Sequence, residues 1–453
     1  MGRKEINYIF NSRIHISNLL SDFSVGKDVS LCGRLVKKRR SSKITFLDIA
    51  DSSGIIQTLL SKEYPAQSEV KEFLPGNFYA VYGKTMETES GERSILIEKI
   101  FQISHANKTY PNKIEDSDLK LKQRYLQILA DDELRNSLRI RCSIITLMRE
   151  YLNERDFLEV DTPILQANAV VGTATPFITH SKYLKKDLFL RGSCEIKLKQ
   201  LVVAGYEKIY EIGQVFRNES ESLIEFPLLE IQEMYKDYID ASYFMESMLK
   251  FVYDKLLKNG YNIALDKDYF GSTPWTRVTI EDVINKYHDR TINLASDREV
   301  SVELARLNLE QNEDTRLNRA KLIDVIIKDS ILNRLSGPVF ILDYPKIVSP
   351  LAKAKEETEV AERGYLFIDG VRLAEVVTEE NNPKKQQEAF DLQDEILNHK
   401  NHSHQDLIKS LEYGFPISSG IGLNINRLIA LLTGYNNLEM TTFFPLSISK
   451  LNK

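Results

Sequence analysis

Two arginines stand where they could grip a polyphosphate. Arg217 lies in "VFRNE", at the end of an apolar strand-like run and two residues before Glu219. Arg427 lies in "GIGLNINRLIALLTG", behind Gly420 and Gly422 at the opening of a helix-like run. Guanidinium groups converging from a strand and a helix can hold phosphate oxygens and stabilise the charge that develops in phosphoryl or adenylyl transfer. Downstream of Arg217, "LIEFPLLEIQEMY" ends in Glu233 and Tyr235, which are two apart and therefore on one face of a strand. A second chemistry sits nearer the N-terminus. "GRLVKKRRSSK" gathers Arg34, Lys37, Lys38, Arg39, Arg40 and Lys43, with Phe46 just after. Cations interleaved with aromatics bind single-stranded nucleic acid, the bases stacking on the rings. Taken singly, each string is commonplace. A lone "FRNE" is more often a surface ion pair, glycines before a helix usually serve packing, and a basic run usually keeps a surface wet.

The elements that must position these residues fall into two kinds. From about Val29 to His105 the chain reads as five short strands separated by turns such as "DSSG" and "ETESGE", the pattern of a small barrel of the OB type. A polar stretch, "HANKTYPNKIEDSD", follows as a linker. Beyond it, "DELRNSLRIRCSIITLMREYLNERDF" has apolar residues at three-four spacing and reads as a long helix. Strand-like and helix-like segments then mix without a βαβ repeat, which points to an antiparallel α+β domain. With 453 residues there is room for two or three cores, and a net charge of -5 restricts any nucleic-acid contact to a local basic surface. Cys32, Cys142 and Cys194 lack metal-ligand spacing, so no metal site is expected from them. No apolar run is long enough to span a membrane and the N-terminus has no signal-peptide core, so a cytoplasmic protein is expected.

"FLEVDTPIL", "FRNE" and "GIGLNINRLIALLTG", in this order and spacing, resemble the three signature motifs of class II aminoacyl-tRNA synthetases. Further segments, among them "LFLRGSCEIKLKQLVVAGYEKIYEIGQVFRNE" and "FILDYPKIVSPLAKA", resemble the lysyl-tRNA synthetase family, over about Ile14 to Pro445. The resemblance implies an anticodon-binding OB domain over 1–105, a linker over 106–120 and a class II catalytic domain over 121–453, dimerising through the "FLEVDTPIL" segment. It implies that lysine and ATP form lysyl-adenylate and that the lysyl group passes to tRNA. Glu195 would take the α-amino group and Glu233, Tyr235 and Glu379 the ε-amino group, with Gly422 leaving room for the substrate. Arg217, Glu219 and Arg427 would clasp the α-phosphate, the adenine edge and the γ-phosphate, the two arginines being the catalytic pair. Phe46 and Gln57 match anticodon readers, beside Arg34 and Lys37.

The sequence also departs from the family. Glu225 stands for a histidine of the nucleotide loop and Leu229 for its adenine-stacking phenylalanine. Tyr365 and Arg372 stand at the two glutamates that hold Mg²⁺, Glu375 and Val377 replace an asparagine and an aromatic of the amino-acid site, and Asn424 and Asn426 replace a glycine and an aspartate before Arg427. Tyrosine and arginine do not bind Mg²⁺ as carboxylates do, so the need for the metal stays open, and Arg372 is expected to face a phosphate instead. Two expectations follow. One is an ATP-dependent lysine–tRNA ligase acting on lysine or a lysine-like amino acid. The other is a paralogue that binds lysine without charging tRNA, as a sensor, a regulatory subunit or an amide-forming ligase on a non-RNA acceptor.

Overall fold

The computed structural model describes residues 3–41, 44–61, 63–64, 72–108, 114–115, 120, 122–168, 175–218, 223–271, 273–356, 358–397 and 404–446. Glu219, Lys43 and much of the 106–120 linker lie outside them. The chain divides into two compact units, Met1–Ala130 and Asp131–Lys453.

In the first unit β1 (Asp28–Arg40), β2 (Ile44–Ala50), β3 (Ile55–Ser61), β4 (Phe78–Glu87) and β5 (Arg93–Gln102) close into a barrel in the order β1-β2-β3-β5-β4. The alternation read from the sequence is the cause. Leu31, Leu35, Leu47, Ile49, Val81 and Ile95 point inward and are buried together, while intervening polar residues face out. Closing so few strands needs tight approaches. At Gly83, beside the register shift between β4 and β5, an added Cβ would fall 2.1 Å from the Leu96 carbonyl oxygen, so no side chain fits there.

In the second unit β10 (Lys208–Phe216), β11 (Glu225–Met234), β12 (Thr276–Thr279), β13 (Pro338–Leu342), β14 (Arg363–Ile368), β15 (Val371–Thr378) and β16 (Ser418–Asn424) join the short β6 (Leu158–Glu159) in an eight-stranded sheet. Its order is β12-β13-β14-β15-β16-β11-β10-β6, antiparallel except for β12–β13 and β6–β10. A separate three-stranded sheet holds β7 (Leu165–Gln166), β8 (Ile178–Ser181) and β9 (Lys186–Leu190). The helix Asp132–Asn153 is the one expected from three-four spacing. Asp131 caps it by accepting from the Leu134 amide at 2.9 Å, and Leu138, Ile144, Met148 and Leu152 are buried along one face. That face and the helix Tyr238–Lys258 pack with Leu229, Ile231, Leu366, Val376 and Leu423 into the largest core. Each such buried side chain contributes about 1.5–3 kcal/mol. One face of the sheet is thus sealed, and the other is left for chemistry.

Candidate active site

On the unsealed face the register aligns residues laterally across four strands. Tyr365 pairs with Glu375, Glu375 with Gly422, and Gly422 with Glu230. The next row runs Arg363, Val377, Gly420 and Gln232. The glycines of β16 in the middle of both rows make a floor without side chains. Above it lies a cavity of about 410 Å³ lined by Glu195, Arg217, Phe226, Glu230, Gln232, Arg372, Glu379 and Arg427, among others. An added Cβ at Gly422 would meet nothing within 4 Å, whereas at Gly420 it would fall 2.2 Å from Glu379 Oε1.

One end of the cavity is acidic and tightly wired. Glu379 is fully buried. Its Oε1 accepts from Gln232 Nε2 at 2.7 Å, and its Oε2 forms an ion pair at 2.7 Å with Lys199. Lys199 rises from the helix Glu195–Val203, is 1% exposed, and reaches Glu195 at 2.9 Å one turn back. Burial alone would lower the Lys199 ammonium, but the Glu195 and Glu379 carboxylates overcome it and its pKa is raised. Glu230 accepts from Ser193 Oγ at 2.8 Å and from the Cys194 amide at 2.9 Å. Burial, then the neighbouring Glu195 charge, pushes the Glu230 carboxyl up to about 8. Gln232 Oε1 is buried and has no hydrogen-bond partner, leaving an acceptor beside the acids.

The other end is cationic. Arg217 follows β10 and stands 5.5 Å from the centre of the Phe226 ring on the adjacent strand. Arg427 lies in the helix Ile425–Thr433, whose first turn is capped by Asn424, and its Nη1 donates to the Arg372 carbonyl oxygen at 3.0 Å. Arg372 also stacks on the Tyr365 ring, 4.9 Å from its centre. Asn426 turns the other way: its Oδ1 accepts from the buried Arg141 at 2.6 Å. Asn424 and Asn426 therefore have structural tasks at the motif where they replace other residues.

Glu195, Arg217, Arg372, Glu379, Gly422 and Arg427 come together as expected from the sequence. Glu233 and Tyr235 do not. Glu233 has the opposite parity on β11 to Glu230 and Gln232, faces away, and pairs with Lys208 at 3.7 Å. Tyr235 lies beyond β11, with φ 61° and its ring 67% exposed. The residues that β11 does deliver are Glu230 and Gln232, three positions earlier. The same slip applies to the aromatic: Leu229 is buried in the core on the sealed side, and Phe226 lines the cavity beside Arg217. A ring able to stack on a purine is therefore present, and Glu225 is exposed at the start of β11. The alternation of Phe226, Leu228, Glu230 and Gln232 is the sequence signal that could have found them.

Magnesium does not fit the residues present. Tyr365 and Arg372 occupy the two expected ligand positions, the Tyr365 hydroxyl is hydrogen-bonded to Arg363, and Arg363 Nε holds Glu375 Oε1 at 2.6 Å. Among the described residues no group of three or more histidine, cysteine, aspartate or glutamate side chains could hold a metal ion.

In the barrel, lateral pairing of β1 with β2 and of β2 with β3 sets Arg34, Lys37, Phe46 and Gln57 on one outer face. The Arg34 guanidinium lies 4.4 Å from the centre of the Phe78 ring, and Arg39 lies 5.6 Å from that of Phe46. Gln57 is buried: its Nε2 donates to Glu92 at 3.0 Å, and its Oε1 accepts from Ser94 at 3.1 Å.

Known proteins share this layout. Residues 116–447 match the family model described as tRNA synthetases class II (D, K and N), and residues 29–103 match that of an OB-fold nucleic acid binding domain. The lysine–tRNA ligase of Prochlorococcus marinus (strain MIT 9215) is 33% identical, covering 94% of this chain and 87% of its own. That of Clostridium perfringens (strain 13 / Type A) is 33% identical over 93% and 87%. That of Thermoanaerobacter pseudethanolicus is 33% identical over 96% and 91%. With Arg217 of "VFRNE" and Gly420, Gly422 and Arg427 of "GIGLNINRLIALLTG" lining one cavity, and with relatives over nine-tenths of its length, the chain belongs to the class II aminoacyl-tRNA synthetases, in the lysyl-tRNA synthetase family.

Proposed function

We propose that the protein is a lysine–tRNA ligase: it joins lysine to ATP's α-phosphate, releasing pyrophosphate, and passes the lysyl group from the adenylate to tRNA, releasing AMP. The observation that carries this is a single cavity with carboxylates at one end and guanidinium groups at the other. Class II synthetases use ATP and Mg²⁺ generally, and the relatives bear the ligase name. Glu230, Gln232 and Glu379 would receive the ε-ammonium, and Glu195 the α-amino group. Phe226 would cover the adenine, while Arg217 and Arg427 would hold the phosphates and stabilise their developing charge. Chemistry of this kind needs position and fixed charge, with no covalent enzyme intermediate. The outer face of β1–β3 would meet the anticodon bases. Exposed Leu158, Ile164 and Leu165 near the "FLEVDTPIL" segment support a second copy covering it.

A paralogue that does not charge tRNA is disfavoured. Phe226 removes the missing-ring argument for it, and relatives matching over nine-tenths of the chain are named as ligases. Lysine-dependent ATP–pyrophosphate exchange, followed by acylation of total tRNA, tests the proposal; exchange without acylation would leave only the first half-reaction. Gly422→Leu tests the pocket. Because a Cβ there meets only open space, the melting temperature should stay near the parent's. The leucine would fill part of the cavity, and lysine affinity measured by calorimetry should fall by about tenfold or more. Unchanged affinity would move the amino-acid site elsewhere.

A further inference from the structure

We infer that this chain grips the nucleotide's phosphates with arginine where a carboxylate-bound divalent cation would otherwise stand, so that nucleotide binding is nearly independent of magnesium. The inference rests on the proposed ATP-dependent function and specifies its phosphate subsite.

Three guanidinium groups, those of Arg217, Arg372 and Arg427, line one end of the cavity. One of them is tied to the strand that carries another, since the Arg427 guanidinium donates to the Arg372 carbonyl oxygen and so links the helix Ile425–Thr433 to β15. Arg372 is held further by the Tyr365 ring beneath it. Glu375, three residues from Arg372 and on the same strand, is committed to Arg363, which also holds the Tyr365 hydroxyl and the Val348 carbonyl oxygen. The remaining cavity acids are engaged by Lys199, Gln232, Ser193 and the Cys194 amide at the far end.

Among the described residues, a cation arriving here would meet positive charge and no carboxylate without a protein partner. A triphosphate arriving here meets three planar donor forks suited to its oxygens. Magnesium masks part of the nucleotide's negative charge, which arginine would otherwise engage directly. Removing the metal therefore loses no protein ligand and exposes more charge to the guanidinium groups.

The test is calorimetric binding of a non-hydrolysable ATP analogue to the full chain, in excess EDTA and in saturating magnesium chloride. Wild-type affinities in the two conditions should agree within about fivefold. Arg372→Glu should weaken binding in EDTA by about tenfold or more and recover part of the loss with magnesium, because a carboxylate at this position restores a metal ligand. Arg372→Lys should lose less than Arg372→Glu. A wild-type affinity that falls by more than fivefold on chelation overturns the inference and leaves the ligase proposal intact. So does an Arg372→Glu variant, folded by circular dichroism, that binds like the parent. Absence of nucleotide binding in both conditions overturns both.

Discussion

Lys199→Met is expected to destabilise the synthetase unit by about 3 kcal/mol at pH 7, although methionine nearly matches the lysine stem in length. The ammonium is 1% exposed and pairs with Glu195 and with the fully buried Glu379. Glu195 keeps partial access to water and can be solvated after the change. Glu379 cannot, so it must stay charged without a partner or take up a proton. Burial already drives its carboxyl up from an ordinary value of 4.5. Keeping it neutral at pH 7 costs about 1.4 kcal/mol per pH unit above that value, or about 3 kcal/mol. The sign follows. An acid whose folded pKa is raised weakens the fold above its unfolded value, and the penalty vanishes as the pH falls toward that value. The gap between parent and variant in urea unfolding should therefore shrink from pH 7 to pH 5, by less than about 3 kcal/mol, because burial already raises the Glu379 carboxyl in the parent. Adding Glu379→Gln to Lys199→Met should recover much of the loss at pH 7. A penalty that is the same at both pH values would mean that Lys199 acts through packing alone.

Most of the frame was legible in the sequence because its signals are local. Alternation in β1–β5 and three-four spacing over Asp132–Asn153 report burial directly, and the motif strings carry Arg217 and Arg427 with their spacing. Residues whose role depends on register were harder. A slip of three along "EFPLLEIQEMY" is an odd number, and on a strand an odd slip exchanges the two faces. It put Glu233 and Leu229 in the site, where β11 presents Glu230 and Phe226. Lys199 escaped for a different reason. In "EIKLKQ", Glu195 and Lys199 are four apart and look like an ordinary surface ion pair on a helix. Only the tertiary approach of Glu379, 180 positions later, makes the lysine a buried centre of charge.

Glu230 should make amino-acid binding depend on pH. Its carboxyl is pushed up to about 8 by burial and by the Glu195 charge, despite hydrogen bonds from Ser193 and Cys194. At pH 7 it is mostly protonated, whereas the side-chain amine of lysine, with an ordinary pKa of about 10.4, is charged throughout. An ammonium seated against Glu230 favours the ionised carboxylate, so binding below about pH 8 must release a proton. Lysine affinity should therefore rise with pH by up to about tenfold per unit and flatten above about 8. Glu230→Gln keeps the shape and removes the titration. Its affinity should match the parent's most closely near pH 6 and fall behind by about tenfold or more at pH 8.5, where the parent has gained a charged partner. Calorimetry in two buffers of different ionisation enthalpy counts the proton directly: close to one released by the parent at pH 7, and close to none by the variant. Equal proton release from both would assign the titration to another group, with Glu379 beside Lys199 the next to examine. A parent affinity that does not vary between pH 6 and pH 8 would mean that the substrate ammonium does not lie against Glu230 at all.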